Sequence, residues 1–368
     1  MNVTILMSDT GGGHRSVATA IRCALLRKNS KANVAIVDGL LEFGNYPLNR
    51  LSSWYPVIVK NSPRLWGFGY AITDGKWQTI VASRVIRYFF QNTLCEIISS
   101  YESDIIISTH PMLISSILDN VDTNRLPFIS VVTDLVSAHS WWFDRRASLT
   151  IVPTREAKIK ALDCGLASEL VHVDGLPVSD EFCNPTDQRS VQIELGWNPN
   201  KFTVLLMGGA DGVGLLGHLT KILKSNTNNM QFAVVCGRNK QLMSELGSVS
   251  DIHLYGFVDN ISKLMQAADV VVTKAGPSTI MEVLHCGREL ILFGYVPGQE
   301  EGNVKFVLQN ELGYYATNHE EILNKLNELQ HNKDVITERK DVFLGELLTK
   351  HSADTIAIKA MSFLSNRE

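Results

Sequence analysis

Two glycine-rich turns, far apart in the chain, constrain the fold more than any other feature. VTILMSDTGGGHR runs from Val3 to Arg15, and VVVTKAGPSTIMEVL from Val270 to Leu284. Each reads as a buried strand, a turn of small residues and the start of a helix. An open α/β sheet builds an anion site this way, because backbone N–H groups and the positive end of a helix then face the ligand. Two such signals predict two similar domains, one for a nucleotide and one for its reaction partner.

The rest of the chain supports that architecture. Short, nearly continuous apolar runs rich in β-branched residues recur, separated by helical patterns. In the first half they are Val3–Met7, Val34–Val37, Ile105–Ser108, Phe128–Val132, Leu149–Val152 and Val171–Val173. In the second they are Thr203–Met207, Phe232–Cys236, Ile252–Tyr255, Val270–Thr273 and Leu290–Phe293. Runs of this kind suit parallel strands covered on both faces. With 368 residues, the chain has length enough for two full cores. The predicted fold class is α/β, with two doubly wound domains. A Gly/Pro break at Asp174–Val178 places the boundary, giving domains at 1–175 and 176–350. The segment 351–368 is helical in pattern and is expected to pack back on the first domain.

Composition excludes several classes. A net charge of −4 does not suit a general nucleic-acid binder. The six cysteines form no CxxC pair and no zinc spacing, so they read as reduced, mostly buried thiols. No run approaches the length of a membrane span, and the chain opens directly into a strand, so neither a transmembrane helix nor a signal peptide is expected. Residues 45–90 depart from this ordinary composition. They hold ten of the chain's 29 aromatics, Trp54, Trp66 and Trp77 among them, and six basic residues against the single acid Asp74. Interleaved rings and cations compose a surface that sits in a lipid headgroup layer, the rings entering it and the cations meeting anionic lipid. The alternative is a helical excursion with its aromatics packed inward.

Residues able to do chemistry gather at predicted strand ends. His14 follows Gly11-Gly12-Gly13 at the mouth of a helix, where a histidine titrating near neutrality would serve as a general base. Asp134 follows another strand and could orient a histidine or accept a proton, a helix N-cap being the alternative. His110 stands at a similar strand end. In the second half, the Met207–Gly212 loop with Gly208 and Gly209, Cys236-Gly237-Arg238-Asn239, and Gly256-Phe257-Val258 follow successive strands. Lys274, Ala275, Gly276, Pro277, Ser278 and Thr279 open a helix whose dipole favours a diphosphate. Glu282 lies one turn inside, placed to accept both hydroxyls of a ribose. Gln299, Glu300 and Asn303 occupy a polar loop suited to sugar hydroxyls. Together they predict a nucleotide site. No metal-ligand cluster or D-x-D is present, so backbone N–H groups, a helix dipole and Arg238 are expected to stabilise the leaving diphosphate.

The order SDTGGGHR, VVTDL…H..WF, GLPV, LLMGGADG, VCGRNK, TKAGPSTIMEVL and GYVPGQEEGNV resembles the monogalactosyldiacylglycerol synthases of glycosyltransferase family 28. It is similar, too, to bacterial diacylglycerol glucosyltransferases and to the peptidoglycan N-acetylglucosaminyltransferase. The resemblance spans roughly residues 3–315. It implies a GT-B fold, two Rossmann-like domains facing a central cleft. It also implies an inverting, metal-independent mechanism with no cofactor beyond the UDP-sugar donor, and monotopic attachment to a membrane, the reduced cysteines setting the expectation of its cytosolic face. The expected reaction moves a hexose, with galactose expected, from UDP to the 3-hydroxyl of diacylglycerol, with glucosyl transfer as the alternative. Carried over by position, His14 is the base candidate. Glu282 binds ribose, Gln299 and Glu300 bind sugar hydroxyls with Asn303 in support, and Gly13 joins the Gly208–Gly209 and Ala275–Thr279 segments around the donor. Pro47 and Trp142, with His139 close by, match places associated with anionic-lipid or acceptor binding. Ser278 stands where the family has Gly, Ser16-Val17 where it has small residues, and Gly287-Arg288-Glu289-Leu290 where it has a small-Pro-Ile-Ile turn. Oligomeric state is not set by the sequence.

Overall fold

The computed structural model describes residues 1–89, 101–184, 186–208, 216–226, 229–247, 252–332 and 351–365. Phe90, Cys95 and Gly209, with the rest of the Gly209–Gly212 turn, lie outside these. The chain forms two compact units: Met1–Ser179 with Val296–Gly302 and His351–Glu368, and Asp180–Tyr295 with Asn303–Lys350.

The first unit contains β1 (Asn2–Met7), α1 (Gly13–Lys28), β2 (Asn33–Asp38), α2 (Gly39–Phe43), α3 (Leu51–Asn61), α4 (Pro63–Thr73), α5 (Lys76–Tyr88), β3 (Ile105–Ser108), α6 (Pro111–Leu118), β4 (Phe128–Val131), β5 (Leu149–Val152), α7 (Arg155–Asp163) and β6 (Val171–Val173). Its strands are parallel, in the order β2-β1-β3-β4-β5-β6. β3, β4 and β5 are buried throughout, which is why they read as unbroken apolar runs. The winding reverses between β1 and β3, so the loops after these strands diverge and open a crevice at their carboxyl ends.

The second unit contains α8 (Asp180–Cys183), α9 (Gln188–Glu194), β7 (Phe202–Met207), α10 (Leu216–Asn226), β8 (Met230–Val235), α11 (Lys240–Leu246), β9 (Ile252–Tyr255), α12 (Ile261–Ala267), β10 (Val270–Lys274), α13 (Pro277–His285), β11 (Glu289–Gly294), α14 (Glu301–Gln309), β12 (Tyr314–Tyr315) and α15 (His319–His331). α14 begins in the first unit's share of the chain. The order is β12-β11-β10-β7-β8-β9, again parallel, with the reversal between β7 and β10. The eleven runs expected from the sequence are all strands, with ends within two residues of those expected. β12 escaped notice because two residues carry no period.

The last helix, α16 (Ser352–Ser365), packs along α1 in the first unit. Arg27 and Lys28, in the last turn of α1, pair with Asp354 at 2.5 and 3.5 Å. Ser352 Oγ donates to the Gly175 carbonyl, and the Lys359 ammonium meets Asp174 and His172 Nδ1.

Thr154, Asp187, Asn239 and Asn318 each accept a first-turn N–H of α7, α9, α11 and α15. α1 and α13 are capped by Gly12 and Gly276 with no side-chain cap bond, and neither has an acid in its first turn. These two helices follow the two glycine signals. Their positive ends are not neutralised by their own side chains.

Candidate active site

In the first unit, side chains from the ends of β1, β3 and β4 converge. Gly11 and Gly12 adopt φ of 103° and 82°, which L side chains rarely reach, and turn the chain straight into α1. His14, in the first turn, is buried. Its Nδ1 lies 2.6 Å from the Thr109 carbonyl oxygen and 3.1 Å from Thr133 Oγ1. A carbonyl only accepts, so Nδ1 carries the proton and Nε2 keeps its lone pair. His110 stacks edge-on at 4.6 Å and is held by Thr10 Oγ1.

Burial, only partly opposed by the Thr109 carbonyl, pulls the His14 pKa down to about 4. The expectation of titration near neutrality is therefore corrected: the ring is neutral at pH 7 because its charged form would lose its hydration. His110 is likewise held well below its ordinary value, by burial and by His14. Nor does Asp134 orient His14. That task falls to a backbone carbonyl.

Asp134 is 6% exposed, and its Oδ2 accepts the indole N–H of Trp142 at 2.7 Å. Burial raises its pKa to about 6. The Trp142 N–H opposes the rise, the charge of Glu300 adds to it, and a Gln299 hydrogen bond opposes it. Trp142 is fully buried in the unit's core, its ring 6.2 Å from that of His14. It therefore presents no surface to lipid, contrary to the expectation for it. His139 differs from expectation for a similar reason. It is 3% exposed, its Nδ1 accepts the Trp141 N–H, and its Nε2 lies 3.2 Å from Thr73 Oγ1. Both nitrogens fix the local turn. Asp74 completes that turn, accepting from Ser140 N and Oγ and pairing with Lys160 at 2.8 Å.

The segment Val296–Gly302 clusters with this unit. Gln299 Oε1 accepts from Tyr55 OH at 3.2 Å, and buried Glu300 accepts the Val296 N–H. Pro47 is half-buried just before α3. Trp54 and Trp77 are 40% and 80% exposed, whereas Trp66 is half-buried, edge-on to Tyr55 at 5.0 Å. The aromatic segment thus splits, some rings facing inward and others outward.

In the second unit, Gly208 follows β7 and Lys274 to Thr279 run from β10 into α13, on either side of the point where the winding reverses. The turn is held by Ala275 N–H to the Gly294 carbonyl and by Asn303 Nδ2 to the Ala275 carbonyl, at 2.8 and 2.9 Å. Asn303 is 1% exposed, so it braces this turn from within. Among the described residues its Oδ1 has no partner. Ser278 and Glu282 lie on α13 with little exposure. Arg238 stacks over the Phe257 ring at 4.9 Å, beside Gly256 and Val258 after β9. Gly209 lies outside the described residues, so its expected place in the donor cradle is not described. Of the described cysteines, Cys236 and Cys286 are buried thiols pushed by burial to about 11 and about 12. Cys23 is exposed, and Cys164 and Cys183 are intermediate.

The sequence signalled the residues at strand ends but not Thr109, Thr133, Tyr55 or Asp74. Their contacts join positions 66 to 244 residues apart, beyond any local pattern.

Two doubly wound parallel sheets, with uncapped helices beside their winding reversals, define a GT-B glycosyltransferase fold. Solved structures agree. The chain superposes on the Acinetobacter baumannii MurG crystal structure with a TM-score of 0.62 at 14% identity, covering 98% of this chain and 100% of that one. The Staphylococcus aureus MnaA–UDP co-structure gives 0.63 at 15%, covering 100% and 97%. The family 28 glycosyltransferase C-terminal domain profile matches residues 203–355, and the monogalactosyldiacylglycerol (MGDG) synthase profile matches residues 14–178. A probable monogalactosyldiacylglycerol synthase 2 of Oryza sativa subsp. japonica is 35% identical over 86% of this chain and 70% of its own length. Monogalactosyldiacylglycerol synthase 3 of Arabidopsis thaliana is also 35% identical, over 85% and 71%. The chain belongs to the monogalactosyldiacylglycerol synthase family.

Proposed function

We propose that this protein transfers galactose from UDP-galactose to the 3-hydroxyl of diacylglycerol with inversion, giving a β-galactolipid. Family membership supports the reaction class. The observation that carries the mechanism is the fixed tautomer of His14, which leaves Nε2 as a proton acceptor. The acceptor hydroxyl gives its proton to Nε2 while its oxygen bonds to the anomeric carbon. The bond from that carbon to the diphosphate breaks on the opposite face, and UDP leaves. The buried imidazolium formed is a strong acid and releases the proton once UDP has gone. Asp134, ionised above about pH 6, supplies the negative charge that favours both the transient imidazolium and the positive anomeric centre.

On the donor side, the uncapped N-terminus of α13 and Gly208 receive the diphosphate, with Arg238 adding charge. Glu282 takes the ribose hydroxyls, Gln299 and Glu300 the sugar hydroxyls, and Asn303 holds the Ala275 turn in shape. UDP in the MnaA co-structure is consistent with this reading.

The acceptor dissolves in a bilayer, and no helix among the described residues is long and apolar enough to cross one. Peripheral docking fits α4 and α5. Leu65, Phe68 and Ile72 form an exposed stripe on α4, and Trp77, Ile80, Val81 and Val85 another on α5, each at helical spacing. Exposed Lys60 and Arg64 lie beside them, suited to an anionic surface.

The test is incubation with diacylglycerol in phosphatidylglycerol vesicles and radiolabelled UDP-galactose or UDP-glucose. A labelled monogalactosyl lipid is expected. A glucosyl lipid would overturn the donor assignment, and no labelled lipid would overturn the reaction.

A further inference from the structure

Tyr55, on α3, is buried although it belongs to the aromatic segment. Its ring touches two other parts of the first unit. It stands edge-on to Trp66 of α4 at 5.0 Å, and its Cε1 would lie 3.4 Å from a Cβ on Gly11, in the turn before His14. Its hydroxyl reaches a third part, donating to Gln299 Oε1 at 3.2 Å. The loop that carries Gln299 is held by α4 as well. A Cβ on Gly67 would meet Pro297 Cβ at 3.0 Å and the Pro297 carbonyl oxygen at 3.1 Å. A Cβ on Gly298, whose φ is 79°, would meet the Gly67 carbonyl oxygen at 3.2 Å. Backbone crosses backbone here, and glycine on both sides allows it. Nearby, Tyr70 OH donates to the Ser137 carbonyl at 2.7 Å, and the Ser137 hydroxyl fills the place of a Gly302 side chain.

These contacts decide which way the Gln299 amide faces. Its Oε1 takes the Tyr55 hydroxyl, and its other end meets Asp134, whose carboxyl it hydrogen-bonds. An ionised carboxylate only accepts, so the bond to Asp134 comes from Nε2. A side-chain amide offers two N–H bonds and two lone pairs. One N–H goes to Asp134 and one lone pair to Tyr55, which leaves one donor and one acceptor in a fixed plane. Such a pair can hold a sugar hydroxyl in one direction. An amide free to turn could satisfy that hydroxyl in several.

We propose that Tyr55 is a positioning residue for recognition of the donor sugar, its hydroxyl setting the Gln299 amide and its ring tying that loop to the glycine turn before His14. The proposal rests on the reading of Gln299 as a ligand of the sugar. It gives the inward-facing part of the aromatic segment a donor-side task. The rings that face outward have none of these contacts with the loop.

The test compares UDP-galactose with UDP on the full chain by titration calorimetry, so it reads binding whether or not transfer follows. Tyr55→Phe keeps the ring against Gly11 and Trp66 and deletes only the hydroxyl. It should raise the Kd for UDP-galactose about three- to tenfold and leave that for UDP unchanged. In a Gln299→Ala background the same change should add nothing. Gly67→Ala, which presses on Pro297 from α4 and leaves the Tyr55 hydroxyl in place, should also weaken UDP-galactose selectively. Equal weakening of both ligands by Tyr55→Phe would make Tyr55 a packing residue. An unchanged Kd for UDP-galactose would leave its hydroxyl without a part, and a further loss on top of Gln299→Ala would place its action elsewhere. Each of these overturns the proposal. Gln299→Ala alone with full affinity for UDP-galactose would instead remove the donor-sugar reading of the loop, and the proposal with it.

Discussion

Replacing Trp142 by Phe tests how the buried carboxyl of Asp134 is set. The change removes one donor, the indole N–H that reaches Asp134 Oδ2 at 2.7 Å, and keeps an aromatic ring in the core. A hydrogen bond to a charged group contributes about 1.5 to 3 kcal/mol. At 1.36 kcal/mol per pKa unit, its loss should raise the Asp134 pKa by about one to two units. From a starting value of about 6, it would reach the neutral range. At pH 7 the ionised fraction should then fall roughly fourfold. The smaller ring also leaves a cavity, costing about 1 to 3 kcal/mol of stability. The assay is kcat/KM for galactosyl transfer across pH 5 to 9, with UDP binding measured alongside. The acidic limb should move upward by one to two units, and activity should recover by pH 9. Asp134→Asn should abolish the limb, and adding Trp142→Phe to it should shift nothing more. An unmoved limb, with activity lowered equally at every pH, would refute the reasoning and leave Trp142 a packing residue only.

Four other outcomes are expected. His14→Ala should cut kcat by about 100-fold or more while changing UDP affinity little, and equal losses in both would remove the base assignment. Trp54→Ser with Trp77→Ser should weaken vesicle sedimentation about tenfold without altering thermal stability, because both rings are exposed. Trp66→Ser should instead destabilise the chain through its lost contact with Tyr55. Asn303→Ala should raise the KM for donor about tenfold through loss of the brace on Ala275, and an unchanged KM would place the turn's stability elsewhere. His14 and His139 both fall to about 4 in the folded protein through burial. Each contributes stability that is complete above pH 6.5 and is lost as pH falls towards 4. Asp134, with its raised value of about 6, acts in the opposite direction. His110, held well below its ordinary value by burial and by His14, adds to the histidine side. Denaturation at pH 7 and pH 5 should show a net loss of stability at the lower pH, and a gain would contradict these environments.

What could be read from the sequence divides along physical lines. Parallel strands buried on both faces need continuous apolar residues, so β3 and β5 were visible to the residue. Turns beside the winding reversals need glycine where φ is positive or the backbone must approach a ligand, so Gly11, Gly12 and the Ala275–Pro277 turn were visible too. The first shell of His14 was not. A histidine after three glycines looks the same whether it faces water or a carbonyl. Only the β1–β3 pairing brings Thr109 to its Nδ1 and so fixes the tautomer.

Trp142 shows the same limit more sharply. By resemblance it matches a place associated with anionic-lipid or acceptor binding, yet the fold buries it, and its N–H reaches Asp134. Trp77, among the interleaved rings and cations of residues 45–90, is 80% exposed. Composition reports how many rings a segment carries. Which of them meet lipid is decided by helix phase. On α5 the exposed set recurs at three- and four-residue spacing from Trp77 to Val85, while Ile86 turns inward. A ring at an exposed phase of α5 is free to enter a headgroup layer. A ring on the short turn after His139 can only complete the core beneath it, and there its N–H reaches the Asp134 carboxyl.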